Sequence, residues 1–196
     1  MTLAKVAVLV SGSGRHLKNL LELARSGSLP VEIVAVLASK PDIGAISHAK
    51  HFGVKVHVAD SSQVTDALAT SGADWVVMAG WLRKWDIPGQ WLGRTINIHP
   101  SLLPLFGGKG FYGNRVHEAV LASGMRVSGC SVHFVTQDYD AGPLIVQRPC
   151  VVLPGDTVAS LAARVFVEEL VALPEALALA VSGRARLSNG KTEFTL

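Results

Sequence analysis

Charged side chains are scarce in this chain: Asp, Glu, Lys and Arg make up 17% of its 196 residues, against 49% hydrophobic. That imbalance excludes a self-repelling, disordered polypeptide and requires that much of the chain be buried. Aromatic residues are also few, at 6%. No Lys/Arg block or aromatic-studded basic stripe occurs, which argues against a nucleic-acid partner. The mild positive bias, a net charge of +3 with pI near 9.0, suits anionic small molecules instead. Cysteine occurs only as Cys130 and Cys150, both in apolar strand-like runs. They read as buried inert thiols, and without a Cys-x-x-Cys pair neither metal nor redox chemistry is expected. Long apolar runs are missing too. The opening MTLAKVAVLV is too short to span a bilayer and carries no cleavage pattern. The Leu/Ala-rich stretch 165–181 is interrupted by Glu168, Glu169, Pro174 and Glu175 and reads as a core helix. No membrane partner is expected, and the cytoplasm is the default address.

What the sequence does have is alternation. Short β-branched runs at 5–10, 31–37, 54–58, 75–78 and 95–98 predict strands. Helical spacing lies between them at 15–25, 43–52 and, weakly, 64–69. Leu17, Leu20, Leu21 and Ala24 form the apolar face of the first helix, and Gly27 can end it. Apolar strands alternating with helices predict a Rossmann-like α/β fold, a mostly parallel twisted sheet with helices on both faces. The second half changes character. A helix over 114–123 stops at Gly124, and strands over 127–135 and 144–152 are joined by TQDYDAGP, which predicts a hairpin and an antiparallel C-terminal extension of the sheet. A long helix from about Thr157 closes the core, and 184–196 is expected to add a short edge strand. There is no repeat, linker or low-complexity stretch, so one domain over 1–196 is expected.

Three stretches carry chemistry. In VAVLVSGSGRHLKNL a strand runs into glycines and then a helix, so helix N-terminal amides can face an anion. A dinucleotide fingerprint would need glycine where Leu17 stands, and an acid where the second strand ends in Ser39 and Lys40. The Gly-Lys-Ser/Thr of a P-loop is also missing. A phosphate monoester fits better than either. In TINIHPSLLPLFGGKG, Asn97 and His99 stand two apart at a strand's carboxyl end and so project to one side, where open parallel sheets bind ligands. An amide can donate to a developing oxyanion, and an imidazole can move a proton near neutral pH. TQDYDAGP supplies Asp138 and Asp140; either could pair with His99 and raise its pKa, and spacing does not choose between them.

INIHPSLLP, SVHFVTQDYDAGPLI and VLVSGSGRHL together resemble the phosphoribosylglycinamide formyltransferase family of folate-dependent enzymes, over nearly the whole chain. The resemblance implies transfer of a formyl group from 10-formyltetrahydrofolate, as cosubstrate, to the amine of glycinamide ribonucleotide in purine synthesis. It implies no metal, small-molecule partners, and a monomer or homodimer. Carried over residue by residue, it implies Asn97, His99 and Asp140 as the catalytic trio, leaving Asp138 as a turn residue. Gly14, Arg15 and His16 would meet the substrate phosphate and Glu169 another part of the ribonucleotide. Leu82, Arg83, Lys84 and Trp85, with Asn97, would bind the folate, the segment largely through its backbone. The chain then divides into a phosphate-binding part, about 1–96, and a catalytic and folate-binding part, about 97–196.

The chain departs from the family pattern in three places, one of them a short stretch between Val58 and Asp74 where the basic residue that often contacts folate has no match. Arg15 and His16 replace a small hydroxyl residue and an asparagine. The segment LFGGKGFYGNRVHEAV is longer and richer in glycine, so Gly107, Gly108, Gly110 and Gly113 would allow a lid carrying Lys109 and Tyr112. His48 and His51 read as exposed helix residues without a third zinc ligand, and His133, on the strand leading to Asp140, as a support behind the site. Other readings are a different 10-formyltetrahydrofolate-dependent formyltransferase or hydrolase, a nicotinamide oxidoreductase, and a non-catalytic phosphate-binding module. The last leaves Asn97, His99 and Asp140 without a purpose.

Overall fold

The computed structural model describes residues 3–195. Strands β1 (Ala4–Val10), β2 (Val31–Ala38), β3 (Lys55–Val58), β4 (Trp75–Met78) and β5 (Thr95–His99) pair in parallel in the order β3-β2-β1-β4-β5. β6 (Val127–Phe134) continues the sheet antiparallel to β5, and β7 (Leu144–Val151) pairs antiparallel with β6, giving seven strands. The central strands are apolar on both faces because both faces are covered. Val6, Val8 and Val10 pack under α1 (Arg15–Arg25), α2 (Ala45–His51), α4 (Asn114–Ala122) and α5 (Val158–Val181). Ala7, Leu9 and Leu37 point the other way, toward α3 (Val64–Ala69) and the rings of Trp81, Trp85 and Trp91. Each fully buried Leu or Val contributes roughly 1.5–3 kcal/mol, so this two-sided core sets the sheet's position firmly.

Helix α5 begins at a reciprocal cap: the Ser160 amide donates to Thr157 Oγ1 at 3.1 Å and the Thr157 amide donates to Ser160 Oγ at 2.9 Å. It then runs through Pro174 without ending. Proline has no N–H, so the Leu170 carbonyl one turn earlier loses its helical donor. Asn19 of α1 replaces it, donating from Nδ2 at 2.9 Å. The helix defect thus becomes a tie between α1 and α5.

Several boundaries differ from the expected ones. The second helix spans Ala45–His51 only, and a short 3-10 turn, Gly89–Trp91, precedes β5. The expected edge strand over 184–196 is not part of the main sheet. It is a separate hairpin of β8 (Ala185–Ser188) and β9 (Lys191–Phe194) turning at Asn189-Gly190, both at positive φ. An Asn-Gly pair of this kind matches the twist of a two-residue hairpin, which closes on itself rather than adding to another strand. Leu196, the last residue of that expectation, and the first two residues of the opening run lie outside the described residues. Among the described residues no helix is long and apolar enough to cross a membrane.

Candidate active site

Strand order reverses at β1, which has β2 on one side and β4 on the other. A crevice opens beyond the carboxyl ends of the strands at such a reversal. Here it holds a cavity of about 620 Å³ lined by Ser11 and Gly12 after β1, the Gly80–Trp85 segment after β4, and Asn97 and His99 of β5. Residues 108–114, the β6–β7 connection and Phe166 and Glu169 of α5 complete the wall.

The antiparallel pairing of β6 on β5 puts His133 directly opposite Asn97. The chain after β6 then folds back and carries Asp140, at φ 53°, to the same spot. This return depends on Gly142: a Cβ there would run into the Phe134 carbonyl oxygen. Asp140 Oδ2 lies 3.4 Å from His99 Nδ1, and Asp140 Oδ1 lies 3.4 Å from Asn97 Nδ2 and 3.6 Å from His133 Nε2. Asp138 is not in this cluster. The tertiary fold therefore selects Asp140 where spacing could not.

The partners assign the protons. His133 Nδ1 is 2.8 Å from the Phe134 carbonyl, which can only accept, so the proton sits on Nδ1 and the Nε2 lone pair accepts from Asn97 Nδ2 at 3.1 Å. The Asn97 amide is thereby oriented, its second proton toward Asp140. His99 Nε2 donates to the Phe106 carbonyl at 2.8 Å, leaving Nδ1 toward the carboxylate. Charge counting predicts that Asp140 raises the His99 pKa. Burial reverses the outcome: the ring is 4% exposed, and desolvation pulls its pKa below the ordinary imidazole value despite the opposing effects of Asp140 and the Phe106 carbonyl. For Asp140 the balance runs the other way. Burial pushes its carboxyl up, but the contacts around it, among them the Gly108 amide donating to Oδ2 at 2.9 Å, hold it below the usual carboxylate range.

At the other end of the cavity, Gly14 starts α1 in the left-handed region, where a Cβ would lie 2.5 Å from the Ala45 Cα. No side chain caps this helix start. The Arg15 guanidinium lies over the Phe166 ring, its Cζ 3.8 Å from the centroid, and His16 Nε2 meets Glu169 Oε2 at 3.2 Å. Glu169 is buried at 7% exposure. The helix-face pattern of α5 would have left it in solvent; packing against α1 turns it inward.

Leu82, Arg83, Lys84 and Trp85 all line the cavity. The Leu82 amide is already engaged, donating to Ser11 Oγ at 3.2 Å. The Trp85 indole donates to Thr65 Oγ1 at 3.1 Å and its ring is core as well as wall, while Lys84 pairs with Asp86 at the rim. Gln137 Nε2 donates to the Ile87 carbonyl at 2.8 Å, tying this segment to the β6–β7 connection. The glycine-rich segment lies against the trio through its backbone at Phe106 and Gly108, with Lys109, Phe111 and Tyr112 along the cavity.

Phe166 and His117 are among the lining residues that the sequence did not single out. Phe166 had only its three-residue offset from Glu169 as a signal, and His117 is a buried histidine on α4. Cys130 is buried, which pushes its thiol up to about 12, whereas Cys150 is only half-buried, contrary to expectation. Likewise His51 is exposed but His48 half-buried. Among the described residues no group of three His, Cys, Asp or Glu side chains is arranged to hold a metal ion.

Comparison with known proteins supplies a context for this geometry. The formyl transferase family model matches residues 4–177. A chloroplastic phosphoribosylglycinamide formyltransferase of Vigna unguiculata is 40% identical over 179 residues, covering 84% of this chain and 57% of the relative. The trifunctional purine biosynthetic protein adenosine-3 of Bos taurus is 38% identical over 201 residues, covering 96% of this chain and 19% of that protein. The chain thus spans less than two thirds of the length of these curated relatives. The crystal structure of glycinamide ribonucleotide transformylase 1 from Symbiobacterium toebii superposes with a TM-score of 0.91 at 32% identity, covering 99% of this chain and 95% of that one.

Proposed function

The chain belongs to the formyl transferase family, and from that premise we propose that it transfers the formyl group of 10-formyltetrahydrofolate to the amine of glycinamide ribonucleotide, a step of purine biosynthesis. The observation that carries the proposal is the convergence of Asn97, His99 and Asp140 on one wall of a cavity that Arg15 and His16, at the start of α1, also line. The ribonucleotide phosphate would meet the backbone of Gly14, Arg15 and His16, and Glu169 the sugar. The pterin would lie along Leu82, Arg83, Lys84 and Trp85.

In the proposed reaction the amine nitrogen bonds to the formyl carbon and the carbonyl electrons move to oxygen. Neutral His99 accepts the proton that the nitrogen sheds, and Asp140, already ionised, stabilises the imidazolium that results. The lowered pKa of His99 suits this order, since the ring starts neutral. Asn97 donates to the oxyanion in place of its long 3.4 Å contact with Asp140; one such donor supplies about 2.7–4 kcal/mol. The folate nitrogen N10 then takes the proton as its bond to carbon breaks, releasing tetrahydrofolate and the N-formyl product. Holding both substrates in attack geometry supplies roughly 7–11 kcal/mol more.

The glycine-rich segment acts in this proposal as a lid. Its support is the Phe106 carbonyl on His99 Nε2 and the Gly108 amide on Asp140, contacts that must loosen for the imidazole to exchange protons. One domain over 1–196 does the work, although the division near residue 96 is crossed at the phosphate end, where α1 and α5 meet. The proposed partners are the two small molecules alone, with neither nucleic acid nor membrane, for a monomer or homodimer. A cytoplasmic location goes with the two unpaired thiols.

The test is tetrahydrofolate release followed by absorbance, with single-turnover formyl transfer by Asn97→Ala, His99→Ala and Asp140→Asn. Release must depend on glycinamide ribonucleotide; release in water alone would make the protein a hydrolase. Near wild-type rates in all three variants would refute the mechanism.

A further inference from the structure

His117 is a buried imidazole that the proposed chemistry leaves idle. It sits on α4 at 5% exposure and lines the cavity together with His99 and Glu169. Its Nδ1 is enclosed and has no hydrogen-bond partner among the described residues. Nε2, unlike Nδ1, is not an enclosed unpartnered atom, so in a ring that lines the cavity it is the nitrogen left to face it.

That asymmetry decides the tautomer. A proton on Nδ1 would be a buried donor with nothing to receive it, which costs more than an unshared lone pair. The proton therefore resides on Nε2. A second proton is disfavoured for the same reason, in keeping with the downward pull of burial on this ring. His117 thus offers the cavity one fixed, neutral N–H donor and no acid.

Its location narrows what that donor can meet. Glu169 and His99 line the same cavity as His117, so a ligand held by those two also passes this ring. In the proposed function Glu169 faces the sugar and His99 faces the attacking amine. Between those two lies the glycinamide arm, whose strong acceptor is its amide carbonyl. We infer that His117 Nε2–H donates a hydrogen bond to this carbonyl and is the residue that recognises the glycinamide arm. The inference rests on the proposed substrate. It makes the site selective for an acylated ribosylamine phosphate over a bare sugar phosphate.

The experiment is titration calorimetry of the wild type, His117→Leu and His117→Gln with two probes, glycinamide ribonucleotide and ribose 5-phosphate. Leucine keeps the bulk and removes the donor; glutamine places an amide nitrogen near the Nε2 position. His117→Leu should bind glycinamide ribonucleotide about tenfold more weakly, the consequence of leaving a desolvated carbonyl unpaired. Its affinity for ribose 5-phosphate should be unchanged, which also reports that the site is folded. His117→Gln should recover most of the loss. In turnover the KM for the ribonucleotide should rise while kcat and the folate KM stay near wild type. Unchanged ribonucleotide affinity in His117→Leu, or equal weakening of both probes, would overturn the inference. So would a fall in kcat with binding intact, which would make His117 an oxyanion donor instead. A wild type that binds ribose 5-phosphate but gains nothing from the glycinamide arm would refute His117 alone. A wild type that binds neither probe would overturn the proposed function with it.

Discussion

Replacing Asn19 tests whether the proline in α5 is compensated from α1. Pro174 denies the Leu170 carbonyl its helical donor, and Asn19 Nδ2 supplies one at 2.9 Å. Asn19→Ala leaves that half-buried carbonyl with no protein donor. The cost of such an orphan is about 1–3 kcal/mol, and partial access to water puts it near the lower end. For a chain of this size, about 1 kcal/mol lowers Tm by roughly 2–4 °C. Scanning calorimetry and urea unfolding of Asn19→Ala should therefore show a loss of about 1 kcal/mol. The decisive comparison is a double-mutant cycle with Pro174→Ala, which restores the helical N–H to Leu170. In that background Asn19→Ala should cost almost nothing, giving a coupling of about 1 kcal/mol. An equal cost in both backgrounds would show that Asn19 acts by some other contact, and the compensation would be refuted.

Five other outcomes are expected. In the pH profile of kcat/KM, the acid limb should fall below 6.5, the ordinary imidazole value, because burial lowers the His99 pKa; Asp140→Asn should move it lower still. A limb above 6.5 would contradict the burial argument. His99 and His117 are both depressed, so the unfolded chain binds more protons as pH drops through about 6.5. Their contribution to stability is complete above that value and is lost below it, as urea melts at several pH values would show. Gly142→Ala should push the β6–β7 connection off the Phe134 carbonyl and displace Asp140, lowering kcat by about 100-fold with the circular dichroism spectrum intact. Arg15→Ala should raise the KM for the ribonucleotide about tenfold and leave the folate KM alone if the guanidinium adds a charged contact to the backbone ones; equal KM values would mean that backbone amides suffice. Trimming 107–113 should change kcat or KM, and unchanged kinetics would make the segment a passive surface loop.

The elements were legible because each is written in a local pattern. Leu17, Leu20 and Leu21 recur at helical spacing, and Val6, Val8 and Val10 alternate with buried residues in a strand that two layers of helices cover. The Asn97–His99 pair was legible for a similar reason, since residues two apart on a strand share a side. The hairpin at 185–194 was misread although its signal, Asn189-Gly190, stood in plain view. Phe166 and His117 had no such signal, because which face of α4 or α5 turns inward depends on what packs against it.

Composition and periodicity were thus enough for the class of fold, the order of its strands and helices, and the strand end that opens on the cavity, since all three follow from near neighbours along the chain. Three matters lay beyond them. Asp140 rather than Asp138 reaches His99 because the β6–β7 connection folds back over Gly142. Glu169 is turned from solvent to His16 by the meeting of α5 and α1. The His99 pKa is pulled down because burial of the ring costs its charged form more than one carboxylate returns. Each is a through-space quantity, a distance or a dielectric, set by segments far apart in sequence, and no local pattern encodes it.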